Sequence, residues 1–188
     1  PSFDLSTNTF VIAAPTVKYR GIFVNDEDWG LRRWAEKNFE SPEAHIGAKT
    51  YARIFELMLR CRLNTIWPAM HEGGYEFSSR PENLALAEQF GVVVGTSHCE
   101  PMLRNNVYWT GGEWNYRKNK AAIDDYWRWT ATTYASNEVI WTIGMRGKHD
   151  GVIVGAKTVP DKIRLVEDCI ATQTNLLDTY VLPAHAGV

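Results

Sequence analysis

From Lys18 onward the chain alternates short apolar runs with longer stretches in which apolar residues return every three or four positions. The runs "KYRGIFVND" (18–26), "NTIWPAM" (64–70), "VVVG" (92–95) and "NEVIWTIGMRG" (137–147) have the length and composition of strands. Between the first two, Tyr51, Ile54, Phe55, Met58 and Leu59 make one face of a helix over 47–62. A second helix opens at Pro81, buries Leu84 and Phe90 and stops at Gly91. A third spans about 116–134 and turns Ile123, Tyr126 and Trp127 inward. The last opens at Thr158, with Pro160 and Asp161 in its first turn as a loose capping box, and carries Ile163, Val166, Ile170 and Leu177 toward the core. Residues 1–16, with turn residues at both ends of a short apolar stretch, read as a lead-in or linker.

Four strand–helix units in a row predict an α/β fold with a parallel sheet, because each helical crossover returns the chain to the same end of the sheet. "VVV" and "VIWTI" are apolar throughout, the pattern of strands covered on both faces. The four carboxyl ends then share one edge, where α/β folds build their ligand sites whether the sheet is open or closed into a barrel.

Composition narrows the chemistry. With 188 residues, 45% of them hydrophobic, the chain can bury a real core. A net charge of -2, with Lys and Arg scattered, leaves no footprint for nucleic acid or an anionic membrane. No run of apolar residues is long enough for a transmembrane helix. Cys61, Cys99 and Cys169 form neither a CxxC pair nor an even disulfide set. Eight Trp and eight Tyr exceed what the core needs, and flat aromatic faces suit sugar rings.

The strand ends hold the reactive groups. The first is Asn25-Asp26-Glu27-Asp28-Trp29; the second places Trp67 and His71 where they line a pocket. The third, "GTSHCEPMLRNN" (95–106), offers His98, Glu100 and Arg104, and the fourth offers Arg146, His149 and Asp150 after Gly144. Paired carboxylates at one mouth are what glycoside hydrolysis requires, one protonated and one ionised. An arginine fork matches an anionic substrate group. No HxH or HExxH spacing, GxSxG elbow, phosphate loop or GxGxxG motif is present.

At these ends the sequence resembles glycoside hydrolase family 115, the α-glucuronidases that act on xylan. The stretches that carry the resemblance are "KYRGIFVNDEDWG", "NTIWPAM", "GVVVGTSHCEPMLRNN" and "WTIGMRGKHD", in order, within residues 17 to about 175. The resemblance implies an inverting hydrolase that removes α-1,2-linked glucuronic acid, or its 4-O-methyl ether, from glucuronoxylan or aldouronic acid oligosaccharides. It also implies a (β/α)8 barrel in a longer secreted or periplasmic chain, with neither organic cofactor nor catalytic metal. By position in the matched motifs, Asp26, His98, Arg146 and Asp150 belong to the substrate pocket and catalytic machinery. Asp150 is assigned the acid/base role, with Asp26 or Glu100 as the alternative carboxyl. His98 and Arg146 hold the uronic acid, and Trp67, His71, Arg104 and Glu27 complete the substrate-binding set.

Four units are half of such a barrel. The expectation is therefore that residues 17–188 are the N-terminal half of the catalytic domain, and that self-association or further chain closes the sheet edges. Two other readings compete: a metal-dependent barrel enzyme on sugars, from His71, His98 and His149, and a catalytically incomplete carbohydrate-binding fragment.

Overall fold

The computed structural model describes residues 13–25, 27–41 and 45–186. Four short strands, β1 (Gly21–Phe23), β2 (Thr65–Trp67), β3 (Val93–Gly95) and β4 (Val139–Ile140), form one sheet in the order β1-β2-β3-β4. Each pairs parallel to the next. Helices occupy the crossovers: α1 (Leu31–Asn38) and α2 (Ala48–Arg60), α3 (Pro81–Phe90), α4 (Tyr116–Thr133), then α5 (Val159–Leu176) and α6 (Leu182–His185) after the last strand. None of the described helices is long and apolar enough to cross a membrane.

The expected lead-in falls mostly outside the described residues, and 13–20 is irregular. The strands are shorter than their apolar runs because pairing stops where the chain turns into the strand-end loops. Beyond β4, Gln173 of α5, fully buried, accepts on its amide oxygen from Gly144 N–H (2.6 Å) and donates from its amide nitrogen to the Gly144 carbonyl (2.9 Å). One side chain thus satisfies both backbone groups of a residue outside the ladder, where an unpaired buried group would cost about 1–3 kcal/mol.

Register alternates two rows across the sheet. Ile22, Ile66, Val94 and Val139 are aligned, as are Phe23, Trp67, Gly95 and Ile140. Ile66 and Val94 face the helices, in a core with Tyr51, Phe55 and Met58 of α2 and Leu84 and Ala87 of α3. The second row faces away, where Phe23 and Trp67 stay nearly two-fifths exposed and meet edge-to-face at 5.4 Å. Coverage on both faces therefore holds for β3 alone, which is buried throughout, whereas β1 is exposed along its length and β4 is half-buried. Gly95 lets Trp67 lie across its neighbour, since a Cβ there would stand 2.6 Å from the indole nitrogen.

A second core joins α4 and α5, built on Ile123, Trp127, Leu165, Cys169 and Leu176, and half-buried Trp141 packs against both cores. The buried stripe of α5 is Leu165, Cys169, Gln173 and Leu176. It is rotated from the expected stripe: Ile163 is 52% exposed and Val166, Ile170 and Leu177 lie at its margin. In α2 the expected face holds at Tyr51, Phe55 and Met58, with Leu59 turned outward. Two sequence signals keep their local roles. Gly91 caps α3 in the left-handed region at φ 63, and Thr158 caps α5 by accepting from Asp161 N–H.

Candidate active site at the carboxyl ends of the strands

Two loops, after β3 and β4, are clamped together before any reactive side chain is placed. Asn106, fully buried, donates to the Gly147 carbonyl (3.1 Å) and accepts from His149 N–H (2.9 Å), while its own N–H donates to the Cys99 carbonyl (3.0 Å). Gly147 approaches the Val152 carbonyl so closely that a Cβ would stand 2.2 Å from it, and Gly144 turns the chain at φ 112. His149 holds the left-handed region at φ 54, a strained conformation for a residue with a Cβ. The turn that results directs Asp150 toward the β3 loop.

There His98 Nε2 lies 2.6 Å from Asp150 Oδ1, and the Arg146 guanidinium lies 3.4 Å from the same oxygen while donating to the Asp150 backbone carbonyl (2.9 Å). His149 Nδ1 stands 3.8 Å from the other carboxylate oxygen. The hydrogen bond from His98, followed by the charges of His98, Arg146 and His149, holds the Asp150 carboxyl below the usual aspartate range. Asp150 is consequently ionised at neutral pH, and its side chain is two-thirds exposed at the mouth.

A second cluster adjoins this one. The His71 and His149 rings are 5.5 Å apart between centroids. His71 Nδ1 lies 3.2 Å from Asp28 Oδ2 and 3.7 Å from Glu27 Oε2. Glu27 is buried and accepts from His71 N–H at 2.7 Å. This contact holds the β2 loop. Asp28 also pairs with Arg32 of α1 at 3.2 Å.

The expected residues thus separate into three groups. His98, Arg146, Asp150 and His71 come together at the mouth, with Trp67 exposed on the adjoining face of the sheet. Glu27, Glu100 and Arg104 lie behind it. Glu100 is buried, one carboxyl oxygen accepting from Asn105 Nδ2 at 3.2 Å and the other finding no partner among the described residues. Burial and the nearby Glu76 carboxyl push the Glu100 carboxyl well above its ordinary range. Glu100 thus lies buried behind the mouth, at 2% exposure, rather than among the exposed groups at it. Arg104 pairs with buried Glu76 at 2.9 Å and is sandwiched between the rings of Tyr126 (3.8 Å) and Trp129 (4.8 Å), locking the loop onto α4. Asp26 lies outside the described residues.

Sequence reasoning missed the residues that organise the site: Asn105, Asn106, Glu76 and Gln173. The one available signal was the Asn105-Asn106 pair after an apolar strand, since asparagine amides bridge backbone groups in irregular loops. Asn105, fully buried, donates to the Met70 carbonyl (2.7 Å) and takes Glu76 on its own N–H (2.6 Å).

The parallel α/β sheet thus gathers an ionised carboxylate, an arginine and histidines at its carboxyl edge. The chain belongs to glycosyl hydrolase family 115, whose profile it matches over residues 13–186. It is also similar to a solved structure of a family GH115 4-O-methyl-α-glucuronidase, BtGH115A, described as having specificity for decorated arabinogalactans. The two share 41% identity with a TM-score of 0.87, over 95% of this chain and 24% of that one. The chain therefore spans about a quarter of the length of that relative. No curated protein matches it.

Proposed function

We propose that this chain supplies the first four βα units of a (β/α)8 catalytic barrel, over residues 17–188, that removes α-1,2-linked glucuronic acid or its 4-O-methyl ether from glucuronoxylan by an inverting acid/base mechanism. The observation that carries the reading is the His98–Asp150–Arg146 cluster, which sets a carboxylate and a guanidinium side by side at the sheet's carboxyl edge. Among the described residues, the unpaired outer edges of β1 and β4 and the uncovered Phe23–Trp67 face are what a half-barrel leaves for its second half to close.

Arg146 and His98 hold the uronate carboxylate, and Trp67 and His71 bound the sugar. Asp150, kept ionised by His98 and Arg146, has the protonation state of the group that activates water. The protonated partner is Asp26 or a carboxyl beyond these four units, because inversion needs a second carboxyl roughly 6.5–9.5 Å away with space for that water. The enzyme works outside the cell or in the periplasm, where polysaccharides are met.

The relative's preference for decorated arabinogalactans favours a second reading in which the same uronate pocket acts on a galactan backbone. Uronic acid release from glucuronoxylan and from glucuronic-acid-decorated arabinogalactan, assayed side by side with the complete enzyme, separates the two. Release from xylan is the expected result; release from arabinogalactan alone transfers the activity to the second substrate, and release from neither ends the reading.

A further inference from the structure

His98, Cys99 and Asp150 carry more than the proposed chemistry uses. Their ring nitrogen, thiol and carboxylate oxygen all lie within 4.8 Å of one another, the one such grouping of potential metal ligands among the described residues. Three donors of different hardness from two loops, with the outer side open to solvent, form a three-ligand set with a vacant fourth position. We propose that this triad binds a thiophilic divalent ion of the zinc class, and that occupancy shuts the site. The second half of that statement rests on the uronate reading of His98 and Asp150.

The scaffold favours such a site. Cys99 is fixed on both sides, its N–H donating to Ser97 Oγ (3.3 Å) and its carbonyl accepting from Asn106 N–H (3.0 Å). Asn106 then ties this loop to the one that bears Asp150. The donors are therefore positioned by backbone clamps rather than by long mobile side chains. Tetrahedral zinc with sulfur at about 2.3 Å and nitrogen or oxygen at about 2.0 Å sets its donors about 3.3–3.5 Å apart. The triad, whose donors lie within 4.8 Å of one another, reaches that spacing if Cys99 Sγ closes by up to about 1.3 Å and the 2.6 Å His98–Asp150 contact opens.

One contact opposes binding. Arg146, 3.4 Å from Asp150 Oδ1, competes for the same oxygen. An ion on His98 Nε2 and Asp150 removes both partners from a sugar, so metal and uronate exclude each other.

Cobalt(II) is the probe, because thiolate coordination gives a near-ultraviolet charge-transfer band that oxygen and nitrogen ligands do not. Titration of the purified protein should produce that band at one ion per chain. Cys99→Ser should abolish the band. His98→Ala should weaken binding by at least about tenfold, since loss of even an outer-shell partner costs that much. Cys99→Ala serves as a second variant for the buried position, with a thermal melt to show that each is folded. In the complete enzyme, zinc should then inhibit uronic acid release by the parent and not by the Cys99 variants. No charge-transfer band, or a band that survives in Cys99→Ser, would overturn the site; a band with unimpaired release at saturating zinc would overturn its inhibitory role. The absorption readout needs no substrate, so a failure of the uronate reading leaves the metal test intact.

Discussion

In the proposed mechanism Asp150 is the residue on which the chemistry turns, and its state is set by neighbours the sequence already displayed. "RGKHD" brings Arg146, His149 and Asp150 within five positions, and their meeting with His98 needs only adjacent parallel strands. In the complete enzyme Asp150→Asn should reduce uronic acid release by at least about 10²–10⁴-fold, the range for a positioned acid/base group. Turnover equal to the parent would remove Asp150 from the mechanism. His98 is the largest cause of the lowered Asp150 carboxyl. The acid limb of kcat/KM that belongs to Asp150 therefore lies below the ordinary aspartate value of about 3.9, and His98→Ala should move it upward. Glu100 runs the other way. Its carboxyl is raised in the folded protein, so its favourable contribution is present at low pH and is lost as pH rises above about 4.3, the unfolded value. Glu100→Gln should accordingly gain in Tm relative to the parent as pH goes from 4 to 8, at about 2–4 °C for each kcal/mol. A Tm difference that does not change with pH would contradict a raised Glu100.

The elements were legible where periodicity is local. Helices α2, α3, α4 and α5 lie within a few residues of their expected spans, and both Gly91 and Thr158 act as caps. Thr158→Ala should cost about 1 kcal/mol in denaturant unfolding, as loss of an N-cap does. What local pattern does not contain is which residues are consumed by tertiary bonding. Arg104 and Glu100 were expected at the mouth because they share the third strand end with His98, yet residues of one irregular loop point to different places, and both are turned into tertiary contacts behind it. Buried Glu76, 28 positions away from Arg104, decides where Arg104 goes. Asn106 is the converse case, an unremarked amide that joins two strand-end loops. Asn106→Ala would leave the Gly147 carbonyl and His149 N–H without that partner, at roughly 1–3 kcal/mol each if buried. It should also loosen Asp150, raising KM for a uronate-bearing oligosaccharide, whereas a purely structural role would lower Tm and leave KM unchanged.

At the scale of the molecule, four parallel units in sequential order leave β1 and β4 as edges, and Phe23 and Trp67 without a helix over them, among the described residues. In the proposed function a uronate pocket is framed by the ends of β2, β3 and β4. A thermal melt with and without millimolar glucuronate, on the parent and on Arg146→Ala, tests that claim most directly. Ligand that binds only the native state raises Tm by mass action, so the parent should shift upward and Arg146→Ala should not. An equal shift in both proteins, or a cooperative melt that glucuronate leaves unmoved in the parent, would contradict it.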